Sequence, residues 1–197
     1  MDMAQRASST AKKPRLTAEN WADAALAAMR EGGLAAVAVE PLAARLGTTK
    51  GSFYWHFTGR DALIEAALRR WAQTETEATI AALEAEPDPE RRLRALFVDA
   101  VESATADTLE VSLLATADDP RVASVLKEVT RRRIAYVSEQ FAALGFDSVE
   151  AHRRGLQAYS VYLGHTQLGH AVPEALPSGP DLAAYLDSVI DPLVRRD

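Results

Sequence analysis

The sequence contains no cysteine among its 197 residues. That absence excludes a disulfide framework and any metal site built from thiolates, and it is typical of a reducing cytoplasm. No stretch approaches the roughly 18 uninterrupted apolar residues that a membrane-spanning helix needs. Residues 1–11 are polar and rich in alanine and serine, without the apolar segment of a secretion signal. We therefore expect a cytoplasmic protein without a membrane segment, in which residues 1–11 form a disordered tail.

The net charge of −6 is unevenly distributed along the chain. Residues 1–60 carry eight basic and five acidic side chains, a balance of +3, whereas residues 61–197 carry fourteen and twenty-three, a balance of −9. An acidic protein is normally a poor partner for a polyanion. Here the acidic part can lie more than one Debye length away, ~8 Å at physiological salt. The basic N-terminal part therefore remains a candidate for binding nucleic acid.

Alternating strand patterns are nearly absent, while cap and turn residues divide the chain into about nine helices. Thr17 is placed to cap the first helix, which Gly32 and Gly33 end, and Asp-Pro pairs begin two later helices. The remaining boundaries predict helices at 39–46, 50–57, 60–83, from 89, near 108–117, at 120–144, at 148–171 and from 181. The sequence therefore predicts an all-α protein.

Residues 39–57 have the pattern of two short helices that pack across a tight turn. Ala43 is small enough for two backbones to approach, and Gly47 tolerates the positive φ that such a turn needs. Thr49 is placed to cap the second helix. The apolar residues that would face inward are Val39, Leu42, Leu46, Phe53 and Phe57. This pattern predicts a helix-turn-helix.

The second of these helices keeps polar and aromatic groups on its outer side. Lys50, Ser52 and His56 carry groups that bind phosphate oxygens or base edges. Tyr54 and Trp55 add exposed aromatic rings, and an exposed patch of this kind usually has a function. Although an alanine- and leucine-rich helix pair is common as plain packing, we interpret this one as a DNA-binding element.

Residues 15–64 resemble the N-terminal domain of the tetracycline-repressor (TetR) family. The family's signature ends in Tyr-x-His-Phe, a short turn and a basic residue, and here it reads Tyr54-Trp55-His56-Phe57-Thr58-Gly59-Arg60. The resemblance implies a three-helix DNA-binding head at residues 12–60. It also implies a helical body at residues 61–197 that binds a ligand and dimerises through its last two helices, without a cofactor.

The same resemblance implies a role for individual residues. Tyr54 and His56 would contact the DNA backbone, Lys50 and Ser52 would lie in the major groove, and Arg60 and Thr17 would meet phosphates. The DNA-binding set is Thr17, Thr49, Lys50, Gly51, Ser52, Tyr54, Trp55, His56 and Arg60. The basic segment Lys12-Lys13-Pro14-Arg15 would act as an arm that reaches phosphate or the minor groove.

Three residues depart from the family pattern. Ala38 stands where a serine or threonine often caps the second helix, which removes a cap worth ~1 kcal/mol. Pro41 is tolerable in a first helical turn. Glu40 is unfavourable near DNA unless it accepts a hydrogen bond from a cytosine amino group. The bases that this head reads stay open.

Several apolar and aromatic residues of the body are candidates for lining a ligand cavity, although a residue of this kind is more often plain core than a ligand contact. They are Trp71, Phe97, Val101, Leu113, Leu114, Val129, Tyr136, Tyr162 and His165. The run Arg131-Arg132-Arg133 is interpreted as a solvated helix face with local ion pairs, because consecutive helical residues point about 100° apart. His165 and His170 are interpreted as bundle or interface histidines, since their spacing does not suit a metal site.

These observations predict a homodimeric transcriptional regulator, a repressor released from a palindromic operator on double-stranded DNA by a small-molecule effector. Gly155 and Gly164 would allow close packing of the eighth helix, and together with the apolar stripe of the last helix they suggest a four-helix dimer interface. No arrangement of catalytic side chains can be argued from the spacing, so we expect no enzyme. Two alternatives stay open: a DNA-binding regulator without an effector, and a helical enzyme or carrier whose head is vestigial.

Overall fold

The computed structural model describes residues 16–103 and 109–196. The predicted tail at residues 1–11 and the basic arm at residues 12–15 lie outside this part of the chain. Those two predictions therefore remain predictions.

The described residues form helices and connecting turns, with no strand among them. The α-helices are α1 Ala18–Gly32, α2 Val39–Arg45, α3 Lys50–Phe53, α4 Arg60–Ala72, α5 Ala78–Leu83, α6 Pro89–Ser103, α7 Leu109–Ala115, α8 Pro120–Ala143, α9 Ser148–Ala171 and α10 Pro180–Val194. A π-helical turn, Gln73–Glu77, joins α4 to α5, so this part of the chain holds nine continuous helices. The prediction of an all-α fold is confirmed.

Capping side chains and a glycine with positive φ set several of the helix ends. Thr17 caps α1 in a reciprocal capping box with Asn20, and Asp119 caps α8 by accepting a hydrogen bond from the Arg121 amide. Gly33 has a φ of 65°, and this left-handed conformation suits the residue that ends α1. Regular helix in α3 ends at Phe53 rather than near residue 57, and a turn continues the path through the His56 and Phe57 amides, which donate to the Phe53 carbonyl.

Two apolar clusters make up the core. The first surrounds Trp21 and Phe53 and continues along α4 to Trp71, where Leu113 of α7 and Val129 of α8 also join it. The second lies among α5, α6, α8, α9 and α10 and contains Phe97, Tyr136 and Phe141, with further members that include Leu186 and Ile190. The helix that begins at Arg60 and runs through the π-helical turn passes from the first cluster to the second.

The two glycines of α9 have different surroundings. A Cβ atom at Gly155 would lie 3.1 Å from the backbone nitrogen of Ser138, so α8 and α9 approach closely there. A Cβ at Gly164 would meet nothing within 4 Å. Close packing within the chain therefore depends on Gly155. None of the helices in the described ranges is long and apolar enough to cross a membrane.

Candidate DNA-binding surface and buried cavity

The helix-turn-helix is held by a small apolar contact between α2 and α3. Leu42 and Ala43 are buried on the inner face of α2, and Gly47 makes the turn with a φ of 62°. Ala38 begins α2 without a side-chain hydrogen bond, as its sequence predicts. The turn thus presents α3 at a fixed angle to the rest of the head.

Phenylalanines anchor α3 from below. Phe53 is fully buried, with its ring 5.3 Å from the ring of Trp21 in an edge-on contact. Phe57 stacks on Phe53 at 5.6 Å. The neighbouring Tyr54 is 56% exposed and Trp55 is 82% exposed. The Tyr54 ring contacts Phe53 edge-on at 5.1 Å, yet most of both side chains stays open to solvent, so the pair forms an available contact surface.

Polar groups at the beginning of α3 are organised within the head. The Thr49 hydroxyl accepts a hydrogen bond from the Ser52 amide at 3.3 Å. Lys50 donates from Nζ to Glu40 at 2.8 Å. This contact lowers the pKa of the Glu40 carboxyl and raises the pKa of the Lys50 ammonium. The negative charge of Glu40, which by itself is unfavourable near DNA, is therefore paired with Lys50 of the same head.

Arg60 holds the connection between α1 and α2. Its Nε donates to the carbonyl of Val37 at 2.6 Å, and one terminal nitrogen donates to the carbonyl of Leu34 at 2.5 Å. The guanidinium thus fixes the backbone that leads into α2. Its expected contact with phosphate stays a prediction.

The residues of the predicted DNA-binding set are accessible. Ser52 and His56 are half-buried, and the exposed members are Thr17, Thr49, Lys50, Gly51, Tyr54, Trp55 and Arg60. Residues 49–56 form one continuous segment, while Thr17 and Arg60 lie at the beginnings of α1 and α4. The segment carries an ammonium, hydroxyls, an imidazole and two aromatic rings on an accessible surface.

A cavity of about 130 Å³ lies in the body where the two apolar clusters meet. Its walls come from the continuous helix α4–α5 and from α6, α7, α8 and α9. The lining residues are Trp71, Glu75, Thr76, Thr79, Ile80, Leu96, Phe97, Asp99, Ala100, Glu110, Arg133, Tyr136, Val137, Ala158, Tyr159, Tyr162 and Thr166. The walls are mainly apolar and aromatic, with a few polar groups, as is usual for small-molecule sites.

Four of the nine body residues singled out by the sequence line this cavity, namely Trp71, Phe97, Tyr136 and Tyr162. The other five lie elsewhere. Leu113 and Val129 belong to the first apolar cluster, Val101 belongs to the second, Leu114 is exposed, and His165 is buried beside α10.

Arg133 is the centre of a polar network on the cavity wall. One terminal nitrogen lies 2.9 Å from each carboxylate oxygen of Glu110, and Nε donates to the Thr76 hydroxyl at 2.9 Å. The guanidinium also lies over the rings of Trp71 and Tyr162 at 5.6 and 5.4 Å. Burial alone would lower the pKa of Arg133, but Tyr162 and Glu110 raise it above its ordinary value. The arginine therefore remains charged inside the body.

This network corrects the interpretation of the arginine run. Arg131 is exposed and Arg132 pairs with Glu77 at 3.1 Å, in keeping with a solvated face. Arg133 is largely buried instead. The sequence position of Arg133 indicates this burial, because Arg133 lies four residues after Val129 and three before Tyr136 on the buried stripe of α8. A charged residue at a core position of a helix predicts a buried ion pair, because such residues are rarely buried without a partner.

Two buried polar atoms of the cavity lining have no hydrogen-bond partner among the described residues. They are the indole Nε1 of Trp71 and the hydroxyl of Tyr136, in side chains that are 1% and 3% exposed. Burial also raises the pKa of the Tyr136 phenol, which keeps its proton. Buried polar groups are almost always satisfied in folded proteins. These two atoms are exceptions to that rule.

Histidine and acidic side chains do not gather into a metal-binding cluster anywhere in the described ranges. His165 is held by the Val161 carbonyl at 2.7 Å and by the Tyr185 hydroxyl at 2.8 Å. Both ring nitrogens are thus engaged within the chain.

Known proteins resemble both the head and the whole chain. Residues 22–67 match the family model of bacterial regulatory proteins of the tetR family. A transcriptional regulator from Rhodococcus sp. Rha1 has a TM-score of 0.69 at 21% identity, over 91% of this chain and 94% of its own. No curated protein sequence matches the chain significantly.

Two further solved structures share the architecture. SmeT, the repressor of the Stenotrophomonas maltophilia multidrug efflux pump SmeDEF, has a TM-score of 0.62 at 20% identity over 90% of both chains. AibR, solved in complex with isovaleryl coenzyme A and operator DNA, has a TM-score of 0.59 at 16% identity over 90% of this chain and 95% of its own. Identities this low establish the fold. The match at residues 22–67 adds that the head is similar to the N-terminal domain of tetR-family regulatory proteins.

Proposed function

We propose that this protein is a homodimeric, cytoplasmic repressor that binds a palindromic operator and leaves it when a small molecule occupies the body cavity. Two heads would dock in successive major grooves, with half-sites about one helical turn apart, ~34–36 Å. The ligand would favour a dimer in which the heads are held at another separation.

The observation that carries this proposal is the continuous helix between the head and the cavity. The helix begins at Arg60, which holds the head's backbone, and further along it contributes Trp71, Glu75 and Thr76 to the cavity wall. Glu75 also lies 3.7 Å from Arg30 of α1. A ligand that shifts this wall would therefore move an element that the head packs against. We also propose that residues 12–60 form the head and residues 61–197 the body.

The nine accessible residues of the predicted set are our candidates for DNA contact. Lys50 and Tyr54 are the strongest, because both project from the continuous segment at residues 49–56. Electrophoretic mobility shift against the DNA upstream of the protein's own coding sequence tests the proposal. Absence of binding by the wild-type protein at low salt would contradict DNA recognition at that site.

Alanine variants with a matched control test which residues contact the operator. Lys50→Ala and Tyr54→Ala should weaken operator binding about tenfold or more while leaving the fold intact, because each removes one contact to DNA. Lys127→Ala is the control, since Lys127 is an exposed lysine of α8 in the body. Equal affinity of the wild type, Lys50→Ala and Tyr54→Ala for the operator would show that another surface reads the DNA.

The outer face of α9 supports the proposal of a dimer. Its exposed large apolar residues are Val149, Leu156 and Leu168, and Val172 follows the helix. Gly164 lies on the same helix, and a Cβ atom there would meet nothing within 4 Å. Leu186 and Ile190 of α10 are buried within the chain, so we expect α9 to supply most of the apolar contact and α10 to flank it.

Light scattering after size exclusion tests this interface. Leu156→Glu combined with Leu168→Glu should give a monomer with weak operator binding, because charges are costly in an apolar interface. Leu114→Glu, at an exposed leucine of α7, should leave the dimer intact. A double variant that remains dimeric would place the interface elsewhere.

Release by an effector is tested separately. AibR was solved with both isovaleryl coenzyme A and operator DNA. Because this chain has a cavity in its body, we propose that a small molecule also controls its binding to DNA. A screen by thermal shift followed by release from the operator should identify ligands that lower DNA affinity. If ligands that fill the cavity never change DNA affinity, the protein is an effector-independent regulator.

A further inference from the structure

The buried charges of the cavity wall are engaged with one another. Arg133 donates to both carboxylate oxygens of Glu110, to the Thr76 hydroxyl and to the Glu75 carbonyl. The Tyr162 hydroxyl donates to Glu110 as well. Arg133 and Glu110 therefore form a neutral pair within the wall, and their hydrogen-bonding groups are directed at protein partners.

Most other polar groups of the lining are also engaged or face water. The Tyr159 hydroxyl lies 3.2 Å from the Thr130 hydroxyl, and the Thr166 hydroxyl donates to a backbone carbonyl of its own helix at 3.1 Å. Asp99 is exposed, and the Glu75 side chain is 38% exposed beside Arg30. The two unpartnered polar atoms of the lining residues are closed to solvent, so neither can reach a molecule in the cavity.

A charged ligand would disturb this arrangement. An anion that binds Arg133 would have to displace Glu110, and a cation that binds Glu110 would have to displace Arg133. Either event leaves a buried charge without its partner, which is strongly unfavourable. An ion that displaced neither would itself be buried without a partner. The wall therefore favours an uncharged occupant.

The shape and surface of the cavity suit a small apolar ring. Aromatic side chains from four different helices line it, namely Trp71, Phe97, Tyr136, Tyr159 and Tyr162. The volume of about 130 Å³ is comparable to the engineered apolar cavity of ~150 Å³ that binds benzene. A polar substituent on such a ring would lose its water and meet wall groups that already have partners.

We infer that the cavity takes an uncharged, apolar molecule of single-ring size, such as an alkylbenzene. This inference rests on the proposed function in treating the cavity as the effector site. It narrows that site to one chemical class.

Titration calorimetry on the full-length protein tests the class with probes that share one ring. They are toluene; phenol, which replaces the methyl group by a hydroxyl; benzoate, an anion; and protonated benzylamine, a cation. Isovaleryl coenzyme A, the ligand of AibR, is the fifth probe. Toluene should bind at least tenfold more tightly than each of the others. Equal or tighter binding of any other probe, or no binding of toluene, overturns the inference.

Larger side chains at two alanines test whether toluene occupies this cavity. Ala100 of α6 and Ala158 of α9 are buried and line it. Ala100→Leu and Ala158→Leu, each shown to be folded by circular dichroism, should weaken toluene at least tenfold because they fill the space. Ala142→Leu, at an exposed alanine of α8, is the control. Unchanged affinity in both folded lining variants would place toluene elsewhere and overturn the inference.

A nearly isosteric change tests why ions are excluded. Glu110→Gln leaves Arg133 without its carboxylate, so benzoate should bind at least tenfold more tightly than it binds the wild type. Glu77→Gln is the control, because Glu77 pairs with Arg132 and does not line the cavity. Unchanged benzoate affinity in Glu110→Gln would show that the neutral pair does not select the ligand, which overturns the inference. Binding of toluene without release of DNA would instead contradict the proposed function and leave the ligand class standing.

Discussion

The head and the body of this protein use their polar groups in opposite ways. In the head, Lys50 and Glu40 form an ion pair in open solvent, and most of the Trp55 side chain is exposed. In the body, Arg133 and Glu110 form an ion pair inside the protein, against the rings of Trp71 and Tyr162. Ion pairs and aromatic rings are thus exposed to solvent in the head and buried in the body.

This difference has consequences for stability and for binding. An exposed ion pair contributes little to the free energy of unfolding, because water and salt screen it. A buried pair is costly to break, because the remaining charge is left in a medium that solvates it poorly. Substitutions in the head should therefore change DNA affinity at constant stability, and substitutions in the body should change stability first.

The largest effect should come from the buried pair. Arg133→Met should lower the free energy of unfolding by about 3–5 kcal/mol, because Glu110 is left buried without its cation. The measurement is urea denaturation followed by circular dichroism. Combining Arg133→Met with Glu110→Leu should recover much of the loss. A single variant as stable as the wild type would show that water solvates Glu110.

Close helix packing in the body gives the next effect. Gly155→Ala should destabilise the protein by about 1–3 kcal/mol, because the new methyl group would press on Ser138 of α8. Gly164→Ala is its control on the same helix, where the added methyl group meets open space. In thermal unfolding Gly155→Ala should melt lower than Gly164→Ala. Equal losses would mean that α8 and α9 can separate without cost.

A smaller effect belongs to the cap of α8. The Arg121 side chain donates to Asp119 and lowers the pKa of its carboxyl to about 2. Because this pKa lies below the ordinary carboxyl value, the stabilisation is complete above about pH 4 and is lost as the pH falls toward 2. Asp119→Ala should cost ~1 kcal/mol at pH 7.

The pH dependence of unfolding checks this cap. The free energies of unfolding of the wild type and Asp119→Ala should converge as the pH falls from 4 toward 2. Asp118→Ala is the control at the exposed neighbouring position, and it should behave like the wild type throughout. A constant difference between the wild type and Asp119→Ala down to pH 2 would exclude the carboxylate as the source.

The smallest effect on stability is expected in the head. Glu40→Gln frees Lys50 and removes a negative charge from the proposed DNA-binding surface, so affinity for nonspecific DNA should rise a few fold. The unfolding midpoint should not change. Glu65→Gln, at an exposed glutamate of α4, should alter neither quantity. If Glu40→Gln instead weakens operator binding selectively, Glu40 reads a base.

The geometry of residues 49–56 was predictable because its signals are local. Gly47, Thr49 and Phe53 occupy fixed offsets in one short stretch, and the resemblance to the TetR family rests on the same residues. The contacts of Arg60 could not be predicted from local signals. Its contacts to the Leu34 and Val37 carbonyls join residues that are 26 and 23 positions apart, and no spacing rule predicts them.

The cavity was only partly predictable for the same reason. Apolar residues at helical spacing indicated core without distinguishing a filled core from a hollow one, so Leu113 and Val129 were grouped with Trp71 and Tyr136. The position of Arg133 on a buried stripe was visible in the sequence. Its partners Thr76 and Glu110 lie on other helices and were not.

The sequence by itself determined the helices, the turn between α2 and α3, and the exposed aromatic segment, because caps, glycines and helical periodicity act over a few residues. Tertiary structure alone decided which side chains surround the cavity, that Arg133 is neutralised by Glu110, and that Trp71 and Tyr136 keep unsatisfied donors. Those properties depend on how distant helices pack, and packing sums small contacts over the whole chain.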